Sequence, residues 1–245
     1  LDTLFLEDSH RKGSWYPRIA AQNTDHYHNL PDWQKDAFNR LYDDFFYRRH
    51  NAFWRDSALS KLPDLLAATR MLACGEDLGM IPDCVPSVMD ELRILSLEIQ
   101  RMPKDVYSEF ANTWGYPYLS VCATSTHDMS PLRAWWHEDR GVTQRFWNQV
   151  LGKHGEAPSD CTPDISRSII MMHLQSVSML AILPLQDYLS LKPELCFDDP
   201  NKERVNNPAI SPYYWRFRMK PTLEALIADD ITPYIRTLVR DCGRK

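Results

Sequence analysis

The sequence predicts an α/β chain in which parallel strands are joined by crossover helices. Three observations carry that prediction. Apolar runs that read as strands recur at 71–74, 94–100, 118–123 and 179–184, with helix-like segments between them. Two of those runs end in acidic clusters, Glu76-Asp77 and His127-Asp128. A carboxylate at the end of a buried strand is costly unless it is paired, hydrogen-bonded or functional. At the carboxyl end of a parallel strand a functional role is favoured. The strand count is the third observation: it is half of an eight-stranded barrel, and a half barrel leaves two parallel edges unpaired. Residues 1–245 are therefore expected to form the second half of a barrel domain, with the first half upstream.

Residues 1–30 read as irregular, Glu7 to Gly13 being a charged turn. Asp25-His26-Tyr27-His28 invites a metal, but no third ligand stands at a recognised spacing and a polar loop is favoured. A helix is expected from Pro31, where Trp33, Ala37, Leu41 and Phe45 recur every four residues. A second is expected over about 61–69, leading into a buried strand at 71–74. Pro82 opens another helix, with Val85, Val88, Met89 and Leu92 on one face. The alternation in Leu95-Ser96-Leu97-Glu98-Ile99-Gln100 reads as a strand. Residues 103–114 look partly helical and precede the strand at 118–123. Ser130 and Pro131 are expected to cap the helix that carries Trp135 and Trp136. Helices follow over about 142–151 and after Thr162-Pro163-Asp164. The run Met179 to Leu183 is the fourth strand and ends at Pro184-Leu185-Gln186-Asp187. Residues 192–214 are loop-rich, and helices near 221–228 and 233–241 finish the chain, the last stopped by Gly243.

A net charge of −5, with charged residues a quarter of the chain, gives no field that would attract nucleic acid or an acidic membrane. No run of eighteen apolar residues occurs, so no spanning helix is expected. The chain starts Leu1-Asp2-Thr3, without a signal-like segment. Cys74, Cys84, Cys122, Cys161, Cys196 and Cys242 show no paired spacing. Free thiols in a reducing cytoplasm are expected, with Cys74 and Cys122 as small buried residues. No glycine-rich phosphate loop or ligand cluster appears, so no cofactor and no metal are expected.

Four motifs, in order along the chain, carry a family resemblance. They are Cys74-Gly75-Glu76-Asp77-Leu78-Gly79-Met80-Ile81-Pro82, the run from Leu95 to Lys104, Ser125-Thr126-His127-Asp128 with Leu132 to Trp136, and Arg204-Val205-Asn206-Asn207-Pro208 with Tyr214 to Arg218. Together they resemble the 4-α-glucanotransferases of glycoside hydrolase family 77, in particular the larger plant-cytosolic and bacterial type. The resemblance implies a (β/α)8 TIM barrel of which this chain supplies strands five to eight. It also implies a retaining enzyme acting on α-glucans or maltooligosaccharides. In that family Glu76 matches the general acid/base and Asp128 the transition-state stabiliser. His127, Asn206 and Arg216 match substrate-binding positions. The nucleophile normally lies in an Arg-x-Asp-His segment, and no such segment occurs here; Asn23-Thr24-Asp25-His26 lacks the arginine and stands in the wrong order.

The chemistry explains why the gap matters. Retaining cleavage needs a carboxylate to attack C1 and a second carboxyl roughly 5–5.5 Å away to protonate the leaving oxygen. An acid/base doing both duties is served by burial beside another carboxylate, which favours its protonated form. The N-terminal half of the barrel is therefore expected to complete the site, and this chain alone to turn over little. Two other readings stay open, a non-catalytic α-glucan-binding remnant and an α-amylase-type hydrolase. Several residues have structural alternatives. Asp77 is expected to cap the following helix, Trp135 and Trp136 to pack, and His173 to be structural. For Glu98 and Arg101 a buried ion pair and a substrate role are equally open.

Overall fold

A computed structural model describes residues 2–79 and 81–245. Two compact units divide them, residues 2–73 with 81–93, and residues 74–79 with 94–245.

In the first unit, β1 (Phe5–Glu7) and β2 (Trp15–Pro17) pair antiparallel, with Leu6 opposite Tyr16. This hairpin replaces the irregular start expected from sequence. The charged turn within it is closed by the Gly13 amide, which donates to Glu7 Oε1 at 2.8 Å. Asp25 to His28 form a short helix, α1 (Asp25–His28), whose cap Thr24 accepts from the Tyr27 amide. Helix α2 (Asp32–Asp43) starts where predicted, but its inward face is Phe38 and Tyr42 rather than the Trp33–Leu41 row, which lies exposed. Phe38 and Tyr42 pack with Ala21, Phe5 and Tyr27, and Phe5 meets Phe38 edge-on at 5.4 Å. A π-helical segment (Asp44–Arg49) runs straight into α3 (His50–Ala67), so the helix expected at 61–69 is the end of a much longer one that continues through Pro63. Helix α4 (Cys84–Glu91) buries Cys84, Val88 and Met89, and the Arg55 guanidinium pairs with Glu91 at 2.8 Å.

The second unit is built on a parallel sheet with strands in chain order, β3 (Ser96–Ile99), β4 (Ser120–Ala123) and β5 (Leu180–Ala181). Ser96 lies opposite Ser120, and Val121 opposite Leu180. Ahead of β3 the predicted strand 71–74 is reduced to one parallel bridge, Cys74 with Leu95. Met71, Leu72 and Cys74 are exposed, contrary to the buried strand expected there. Strand β4 is buried along its whole length, as a strand covered on both faces must be.

The helices of this unit are α5 (Leu132–Glu138), α6 (Arg140–Gln149), α7 (Pro163–Leu174), α8 (Leu185–Leu189), α9 (Leu223–Ala228) and α10 (Ile231–Asp241). Helix α7 starts at the predicted Thr162 cap and serves two apolar clusters. Ile165 and Ile169 join Leu132, Trp135, Trp136 and Phe146, while Ile170 and Leu174 join Leu183, Leu189, Ile231 and Leu238. Trp135 and Trp136 are thus packing residues. Helix α10 ends at Gly243, whose φ of 72° suits the left-handed residue after a helix. The partly helical stretch expected at 103–114 contains only a single 3-10 turn, Thr113–Gly115.

Ser130 is not the cap of α5. Its hydroxyl donates to Glu138, and the Leu132 amide is taken by Asp187 Oδ1 at 2.8 Å. All six cysteines are free thiols, and Cys74 is exposed where burial was expected. No helix among the described residues is long and apolar enough to cross a membrane.

Candidate functional site

The second acidic cluster lies in the loop between β4 and α5. Asp128 is about half exposed and both of its carboxylate oxygens are engaged. Oδ1 accepts from Asn206 Nδ2 at 2.6 Å, and Oδ2 stands 3.3 Å from His127 Nε2. The Asp128 amide in turn donates to Thr126 Oγ1 at 3.3 Å. His127 lies against Trp215, with ring centroids 4.9 Å apart. An ionised carboxylate held this way is fixed in orientation yet keeps lone pairs for further hydroxyl donors. An exposed indole beside it offers the flat apolar face that suits a sugar ring.

Asn206 owes its place to Arg204. The Arg204 guanidinium reaches Glu138 at 3.2 Å and the Asn206 carbonyl at 3.4 Å, which ties the 204–208 loop to the end of α5. Nearby, Arg133 pairs with the buried Glu203 and donates to the Phe197 carbonyl. Burial raises the Glu203 carboxyl above the usual range, and the Arg133 charge opposes that rise. The structure thus brings together Asp128, His127 and Asn206 of the residues singled out from sequence. Arg216 lies over the ring of Tyr214 at 4.8 Å, next in the chain to the Trp215 that meets His127.

The first acidic cluster follows Cys74. Glu76 is exposed, where burial was expected, and its Oε1 accepts from the Leu78 amide at 3.0 Å. Its neighbour Asp77 is 3% exposed and caps no helix. Asp77 Oδ1 accepts from the Leu97 amide at 2.9 Å, and Oδ2 from Lys104 Nζ at 2.6 Å. The same ammonium donates to Glu98 Oε1 at 2.8 Å, and the Ser96 hydroxyl donates to that oxygen at the same distance. Glu98 therefore pairs with Lys104, not with Arg101. Two buried carboxylates sharing one cation pin the backbone after Glu76 to the side of β3.

Glu76 follows Cys74, whose single parallel bridge reaches Leu95 just ahead of β3, and Asp128 follows β4, the parallel neighbour of β3. Lys104, Asp187 and Trp215 had been given no role from sequence. Asp187 carried the signal that marked Glu76 and Asp128, an acid just past an apolar strand. Among the described residues no group of three or more metal-ligating side chains could hold an ion.

The class defined at this point is a parallel α/β chain whose acids lie beyond the carboxyl ends of its strands. A family model described as 4-alpha-glucanotransferase, Glyco_hydro_77, matches residues 24–224, and the chain belongs to that family. It is 43% identical over 242 residues to the 4-alpha-glucanotransferase DPE2 of Oryza sativa subsp. japonica, covering 98% of this chain and 26% of that protein. It is 35% identical over 183 residues to the 4-alpha-glucanotransferase of Chlamydia muridarum, covering 71% of this chain and 33% of the relative. The chain thus spans between a quarter and a third of the length of these curated relatives. In structure it resembles the amylomaltase from Streptococcus agalactiae in complex with acarbose, with a TM-score of 0.58 at 13% identity, over 98% of this chain and 39% of that one. That likeness concerns the fold.

Proposed function

We propose that residues 1–245 supply the acid/base and transition-state-stabilising part of a retaining 4-α-glucanotransferase domain, the second half of a (β/α)8 barrel. One observation carries it. Glu76 and Asp128 are both solvent-facing acids, Glu76 just past the parallel bridge from Cys74 to Leu95 and Asp128 past the carboxyl end of β4, and Asp128 is held between Asn206 and His127. Family membership and the acarbose-bound amylomaltase neighbour support an α-glucan as substrate.

In this reading a carboxylate from outside these residues attacks C1 of the donor glucosyl unit. As the C1–O bond breaks, Glu76 gives its proton to the departing oxygen. The ionised Glu76 then takes the proton of an incoming sugar hydroxyl as that oxygen attacks C1 and expels the enzyme carboxylate. Asp128 stays ionised and accepts from ring hydroxyls of the distorted sugar, with His127 and Asn206 fixing its orientation. Arg216 contributes a further substrate contact. The nucleophile comes from the N-terminal half of the barrel, since no Arg-x-Asp-His segment stands in this sequence. Six cysteines without a disulfide support work in a reducing cytoplasm.

Incubating the whole protein that carries this chain with maltotriose tests the reading. Free glucose together with longer oligomers is expected, with both formed far more slowly, though still measurably, in Glu76→Gln and in Asp128→Asn. Glucose and maltose with no oligomer longer than maltotriose would make the protein a hydrolase. Unchanged product formation in Glu76→Gln would overturn the site. Ready disproportionation by residues 1–245 alone would overturn the assignment of the nucleophile to another part of the protein.

A further inference from the structure

The loop that carries His127 and Asp128 is clamped at its base by two charged side chains that do not face it from solvent. Arg101, just past β3, donates to the Thr124 carbonyl from Nε at 3.1 Å and from Nη2 at 2.9 Å, and Nη2 also reaches the Ser130 carbonyl at 2.8 Å. Its guanidinium lies 4.8 Å over the Trp135 ring, which fixes the plane of the fork. Asp187, 1% exposed in the first turn of α8, accepts from the Thr124 hydroxyl and, at 2.8 Å, from the Leu132 amide. Each charge therefore holds both ends of the loop, Thr124 where it leaves β4 and Ser130 or Leu132 where it enters α5. Between those ends the loop has its own short bonds, Met129 amide to Thr126 carbonyl and Asp128 amide to Thr126 hydroxyl.

We propose that Asp187 and Arg101 are positioning residues for the Asp128 carboxylate. They set the width and tilt of the loop base so that Asp128 meets Asn206 and a bound sugar. The proposal rests on the reading of Asp128 given above. The physical case is one of cost. A carboxylate removed from water is costly unless it is hydrogen-bonded or paired, and each oxygen of Asp187 accepts a bond from this one loop. A residue that gives a bond from each carboxylate oxygen to the base of one loop, 55 and 63 positions away in sequence, is a poor candidate for mere filling. Displacing a transition-state contact by even an ångström costs on the order of 10²-fold in rate.

The test is a double-mutant cycle in the whole protein, with maltotriose disproportionation as the readout. Asp187→Asn keeps the size of the side chain and removes its charge; Thr124→Val breaks one bond of the clamp and leaves Asp187 in place. In each, kcat is expected to fall about tenfold or more while KM changes less than about threefold, because the contact being lost belongs to the transition state. In an Asp128→Asn background neither change should lower kcat further. A structural role alone would lower kcat by the same factor with or without Asp128, and that additive result would overturn the proposal. So would full kcat in both single variants. If Asp187→Asn fails to fold, Thr124→Val and Arg101→Lys decide the matter in the same cycle. Should Asp128→Asn itself leave transfer intact, the site reading fails, and that outcome is distinct from additivity.

Discussion

Replacing Lys104 with methionine isolates the arrangement that holds the Glu76 loop. The Lys104 ammonium stands 2.6 Å from Asp77 and 2.8 Å from Glu98, whose side chains are 3% and 10% exposed. Methionine keeps the apolar stem and removes the charge. Asp77 then retains only the Leu97 amide and Glu98 only the Ser96 hydroxyl, leaving two buried like charges without the cation between them. Breaking a buried pair by removing one partner costs about 3–5 kcal/mol. Because Lys104 is itself 27% exposed, water can enter its place, and the lower end, about 3 kcal/mol, is expected. At roughly 2–4 °C per kcal/mol that lowers the melting temperature by about 6–12 °C. Thermal unfolding of the whole protein measures the total, and amide exchange of the segment containing Leu97 reports whether the loss begins there. Adding Asp77→Asn and Glu98→Gln to Lys104→Met should recover most of it, since neutral amides need no counter-charge. A Lys104→Met protein within about 0.5 kcal/mol of the original would refute the reasoning.

Three further outcomes are expected. His173 is fully buried and burial pushes its pKa down to about 4 from 6.5. The folded state then stays neutral while the unfolded chain takes a proton, so stability is lost as pH falls from 6.5 toward 4, by about 3 kcal/mol in all. Urea midpoints across that range should show the limb, and His173→Asn, which removes the titration, should lack it. Leu238→Ala in the cluster around Ile231 should cost about 2–5 kcal/mol in denaturant unfolding without changing the loop that bears Asp128. Asn206→Ala frees one oxygen of Asp128, and loss of a bond to a charged group, about 1.5–3 kcal/mol, predicts a fall in kcat of about 10- to 100-fold by initial-rate kinetics.

Much of the second unit was legible because period and punctuation agree there. Alternation in Leu95–Gln100 and the continuous apolar run before Thr124 gave β3 and β4, and Thr162-Pro163 gave the start of α7. The first unit was harder to read. Every fourth residue from Trp33 is apolar, yet the row from Phe38 to Tyr42 is the one buried. An aromatic-rich helix has two apolar stripes, and only the β1–β2 hairpin and Ala21 choose between them. Local pattern cannot see that choice. The acids at strand ends were equally local signals and marked Glu76 and Asp128 as candidates, of which the structure shows Glu76 exposed and Asp128 held by Asn206 and His127. The role of Asp77 was misjudged because its partners, Leu97 and Lys104, lie 20 and 27 residues away. Residues 71–74 make only the Cys74 bridge, since hydrophobicity alone does not supply a hydrogen-bonding neighbour for each residue.

The clamp has a bearing on how the chain matures. The residue that secures the turn between Thr124 and Leu132 is made 55 to 63 positions later, and the amide that steadies Asp128 comes 78 positions after it. During synthesis at about 5–20 residues per second, that turn spends several seconds with no anchor for its threonine hydroxyl or its leucine amide. A product cut short before Asp187 would carry Thr124 and Leu132 without the carboxylate that bonds them both.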